Sequence, residues 1–63
     1  MKLWEYLNKK VCLTLTNGET IKGQVVDFCD EFDNDEGQDS IIVVSDGIML
    51  EYFENKIQSI EEA

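Results

Sequence analysis

Fourteen carboxylates, no histidine and two cysteines set the limits on the chemistry this chain can do. A Ser–His or Cys–His nucleophilic pair needs an imidazole, which is missing. Cys12 and Cys29 are too few ligands for a thiolate–imidazole zinc site. Both read as reduced thiols packed as small apolar groups, with a disulfide between them as the alternative. Paired carboxylates serve glycosidases as acid and base, but nothing in the spacing here sets two of them across a cleft. The sequence therefore reads as that of a non-enzyme with no cofactor.

The acidic run 30–39, DEFDNDEGQD, is the remaining place for chemistry, and that chemistry would be cation binding. An EF-hand wants oxygen ligands at positions one, three and five, Gly at six and Glu at twelve. Counted from Asp33, Gly37 falls on position five. Counted from Glu31, Glu36 takes the glycine position and Ile42 the final glutamate position. No register fits. A weak cation site of another kind stays open, beside the plainer reading of a solvated loop. Phe32 stands out there, either folded back on the core or displayed to a partner.

Formal charge is −9, and all five basic residues are lysines. That balance opposes a phosphate backbone, whose affinity rests on neutralising cations. Bidentate guanidinium recognition is missing too. Acidity points to a basic partner or a cation, or simply to solvation.

The elements that position these residues read as β-hairpins. Val11, Leu13 and Leu15 alternate with Cys12, Thr14 and Thr16, the period of a half-buried strand. Thr20–Phe28 forms its partner across Asn17-Gly18. A two-residue turn would put Ile21 on the polar face. A three-residue loop, 16–18, pairs Leu15 with Glu19, Leu13 with Ile21 and Val11 with Gly23, and burial favours it. Gly23 marks either a sharp bend or a ligand backbone passing close by. The step from Val25 to Phe28 predicts a bulge near Val26.

Ser40–Phe53 is a second hairpin around Asp46-Gly47, here with a two-residue type I′ turn. It pairs Ser45 with Ile48, Val43 with Leu50 and Ile41 with Tyr52 on the expected core face. The other face, with Ile42 against Glu51 and Val44 against Met49, is mostly apolar as well. Such a face calls for another strand layer or a neighbouring chain.

Residues 2–9 predict a short amphipathic helix whose Trp4 and Leu7 cap an open end of the sheet or meet a partner. Residues 56–60 give a last strand, or a single helical turn at Ile57–Ile60, before a frayed tail of Glu61, Glu62 and Ala63. One domain spans 1–63, near the lower size limit for independent folding. No apolar run is long enough for a membrane helix. Glu5 breaks the only N-terminal apolar patch, so the expectation is no secretory signal and a cytoplasmic protein.

Short helix, then a strongly bent antiparallel sheet of five strands: this pattern resembles the Sm-like (LSm) family of SH3-like small β-barrels. The first Sm motif is matched by Gly18, Gly23, Val25 and Phe28, with Val11, Leu13, Leu15 and Ile21 at its flanking apolar positions. The 40–45 strand, the Asp46-Gly47 turn and the 57–60 strand fit the second half. The resemblance implies a mainly β barrel and rings built by pairing the fourth strand of one subunit with the fifth of the next. It also implies RNA binding, but the residues for that depart from the family. Cys29 and Asp33 stand at the Asp and Asn positions, with Asp30 and Asn34 one step along. Phe53-Glu54 replaces the second motif's Arg-Gly.

The expectation is thus a protein-interaction or assembly module that works through a protein partner or self-association at strand edges. RNA binding, with Phe32, Tyr52 and Phe53 stacking bases, is the alternative. The candidate interaction surface comprises Phe32, Asn34, Ile42, Val44, Met49 and Phe53.

Overall fold

A computed structural model describes residues 1–32 and 36–63. They form one antiparallel sheet of five strands: β1 (Lys10–Leu15), β2 (Thr20–Cys29), β3 (Ser40–Ser45), β4 (Ile48–Phe53) and β5 (Ile57–Glu62). The strand order is β4-β3-β2-β1-β5. β4 and β5 are the two edges, and no ladder joins them among the described residues.

The first hairpin adopts the three-residue loop. Val11 faces Gly23, Leu13 faces Ile21, and the Leu15 N–H donates to the Glu19 carbonyl at 2.8 Å. Gly18 closes the loop at φ +92°, a backbone region where a side chain is strained. The Asn17 side chain supports it by accepting the Glu19 N–H at 2.9 Å.

β2 is the longest strand and serves two neighbours. Its first half pairs with β1 and its second with β3, and Gln24 lies in both ladders. The register slips between Val25 and Asp27, so Val26 is the extra residue of a bulge. Just before β1, the Asn8 N–H donates to the Val25 carbonyl and the Val25 N–H to the Lys9 carbonyl. Gly23 is the point of closest approach. A Cβ there would strike the Val44 carbonyl oxygen and lie 2.8 Å from Val43 Cγ1. The strand that crowds Gly23 is β3 of the same chain, not a ligand.

The second hairpin has the expected register, with Ser45–Ile48, Val43–Leu50 and Ile41–Tyr52 paired. Asp46 and Gly47 take φ of +53° and +77°, as a type I′ turn requires. β5 also bulges. Thr14 faces Ser59 but Leu15 faces Ile57, and the extra residue lets Ile57 and Ile60 both reach the core.

The core is Leu3, Val11, Leu13, Val25, Ile41, Val43 and Ile57, bordered by Tyr6, Leu15, Ile21, Phe28, Tyr52 and Ile60. Three sequence expectations fail here. Residues 2–9 form only a single 3-10 turn, Leu3–Tyr6, because eight residues are too few to hold an α-helix without a full docked face. That turn anchors through Leu3, which is fully buried, whereas Trp4 and Leu7 remain 52% and 41% exposed. Trp4 lies edge-on over Phe28, with ring centroids 6.2 Å apart. Finally, the acidic tail is not frayed. Glu61 and Glu62 pair with Cys12 and Val11, and the Ala63 N–H donates to the Lys10 carbonyl. No helix among the described residues is long and apolar enough to cross a membrane.

Candidate interaction surface

Alternation along a strand sends successive side chains to opposite faces, so the ladder decides which candidates meet. Ile42 faces Glu51, Val44 faces Met49, and Ser40 faces Phe53. Ile42, Val44, Met49 and Phe53 therefore share the face of the β3–β4 pair that points away from the core. The β2 bulge turns Val26 out of the core beside this face, 39% exposed. The sequence placed a bulge near Val26 but did not count Val26 among the surface candidates. The signal was the step from Val25 to Phe28, which located the bulge but not its outward residue.

Phe32 stands apart from this group. It lies in the turn after β2, is 86% exposed, and is displayed rather than folded back. Its N–H donates to the Asp30 carboxylate at 2.9 Å. Asn34 lies outside the described residues, as do Asp33 and Asp35 of the acidic run. Among the described residues, no three carboxylate or thiol side chains gather closely enough to hold a metal ion. The described part of the 30–39 loop is tied to the chain end of β4. The Glu54 N–H donates to the Asp39 carbonyl, and the Asn55 N–H donates to Gln38 Oε1.

β4 differs from the expectation most. Ile41 and Val43 are buried as foreseen, but their partners across the ladder are not all covered. Leu50 is 52% and Ile48 59% exposed on the core side, and Met49 is 63% exposed on the other. Because β4 is an edge, no further strand continues either face past it. The result is a strand apolar on both faces with an unpaired rim of main-chain groups.

Electrostatics bear on one charge in this strand. Glu51 Oε2 accepts the Ser40 hydroxyl at 2.7 Å. Ser40 is fully buried, so this bond satisfies a hydroxyl that would otherwise be orphaned. It also holds the Glu51 carboxylate back over β3. Both cysteines are free and half-buried, Cys12 facing Lys22 and Glu61, and Cys29 facing Ser40. The described residues enclose no pocket. Comparison with protein-family models, with curated proteins and with solved structures returns no match to this chain.

Proposed function

We propose that this domain is a non-enzymatic, Sm-like protein-interaction module that assembles through its exposed strand edges. The observation that carries the reading is β4, an edge strand with exposed apolar side chains on both faces. An edge of this kind is a template for another strand, and a partner would cover what the chain itself leaves open. The curl of β2 through Gly23 and the Val26 bulge supports an SH3-like barrel as the underlying shape. The order β4-β3-β2-β1-β5 supports the Sm-like resemblance, in which the fourth and fifth strands are the assembling edges.

Charge argues against RNA as the ligand. At −9, with no arginine, the chain repels a polyanion where binding would require phosphate neutralisation. Sedimentation velocity over a wide concentration range tests the assembly reading. A mass that rises with concentration supports it. A monomer at every concentration, with no partner recovered by strand-edge crosslinking, refutes it.

A further inference from the structure

The two edges of the sheet are not equivalent. β5 itself carries Glu61 and Glu62, with Lys56 just before it, and charge is the usual guard on an open edge. β4 has one charged residue, Glu51, and neither lysine nor proline. It runs against β3 for its full length without a register shift, so no bulge twists it away. Its single carboxylate is drawn off the rim by the Ser40 hydroxyl at 2.7 Å. β4 is thus the unguarded edge, and a β4–β5 contact between copies would set a clean rim against a guarded one.

We infer that two copies of this chain associate β4 to β4, antiparallel, about a two-fold axis through Leu50. The inference rests on the assembly reading above and specifies its edge, symmetry and register. Residues flanking a two-residue hairpin turn form a hydrogen-bonded pair. Ser45 and Ile48 are that pair, so Ile48, Leu50 and Tyr52 direct their main-chain groups to β3. Met49, Glu51 and Phe53 direct theirs outward. Opposed residues of antiparallel strands share a face, so the two-fold must pass through a residue rather than between two. Centring on Glu51 opposes two carboxylates. Centring on Met49 runs Glu51 onto Gly47 of the second copy and leaves Tyr52 and Phe53 outside the overlap. Centring on Leu50 sets Met49 against Glu51 of the second copy, both with outward main-chain groups. It also sets Ile48 against Tyr52 and Leu50 against Leu50, joining the exposed apolar side chains of one face.

A strand pair this short buries less than a standard interface, so the dimer is weak, with a Kd in about the micromolar range. Each copy brings −9, so added salt strengthens the association by screening. Sedimentation velocity from about 5 to about 500 µM, at low and high NaCl, is the test, since that span brackets such a Kd. The expected result is a monomer–dimer equilibrium that tightens with salt. L50K weakens it at least about tenfold. Leu50 is half-exposed, so the variant keeps its fold, while in the proposed dimer it sets two lysines directly against each other across the axis. Separately, L50C under mild oxidation gives a covalent dimer linked through the two introduced thiols. Directly opposed, non-hydrogen-bonded strand residues sit about 4.5 Å apart at Cα, within disulfide reach. Q58C on β5 does not crosslink. Species larger than a dimer, or a dimer that survives L50K, overturn the β4–β4 inference and leave edge assembly standing. A strict monomer in all conditions overturns the β4–β4 inference, and if strand-edge crosslinking also recovers no partner it overturns the assembly reading as well.

Discussion

Gly23 shows how a residue can be legible in a sequence for an incomplete reason. A glycine inside a strand announces a bend or a close approach, and both occur here. What the sequence does not disclose is the neighbour, the main chain of Val44 with Val43 beside it. That neighbour decides the effect of a substitution. Replacing strand glycine by alanine ordinarily gains about 0.5–1 kcal/mol, but overpacking costs about 1–3 kcal/mol. Gly23→Ala is therefore expected to lower the urea midpoint; a raised midpoint would show that β3 yields easily. Leu3 and Trp4 make a second pair of expectations. Leu3 is fully buried, so Leu3→Ala should cost about 2–4 kcal/mol. Trp4 is half-exposed and keeps mainly an edge contact with Phe28, so Trp4→Ala should cost about 1 kcal/mol. Equal losses in the two variants would contradict the packing described.

At the scale of elements, the tail of β5 is the clearest test. Glu61, Glu62 and Ala63 look like solvated ends, yet they extend the ladder with β1, and Lys9 lies 3.5 Å from Glu62. Ladder bonds come from the main chain and are indifferent to side-chain polarity, so composition hid them. Deleting residues 61–63 should lower Tm by about 4–8 °C for each kcal/mol of pairing lost; an unchanged Tm would mean the ladder ends at Ile60. The hairpin registers were readable for the opposite reason. A slip by one residue would have moved Ile21, or Val43 with Ile41, to the wrong face, and burial excludes that. The 3-10 turn at Leu3–Tyr6 was misread as a helix because apolar spacing over so few residues fits either. Ile48 and Leu50 were misread as core because a strand's own residues do not tell whether it lies at the centre or the rim. That position is a property of the order β4-β3-β2-β1-β5.

For the whole molecule, 63 residues at −9 leave little core to offset self-repulsion. Raising NaCl from about 20 to about 500 mM should therefore raise Tm by a few degrees, through screening within a single copy. The melt is best followed at dilute protein, where mass action on any dimer adds nothing. A Tm that falls with salt would mean that the few lysine contacts outweigh the repulsion. From the residues alone the site was legible as a mostly apolar second face; its place at an edge came only from the family resemblance, since the strand order is what shows which strand lacks a neighbour. The same order has a consequence for how the chain is born. Ile57–Glu62 completes the sheet beside Val11–Leu15, so the first strand of this sheet to be synthesised waits for its last. Until then β1 keeps a bare rim of its own, open to stray pairing or to a chaperone's grip. Biosynthesis, and not only the finished protein, is thus exposed to unwanted strand pairing.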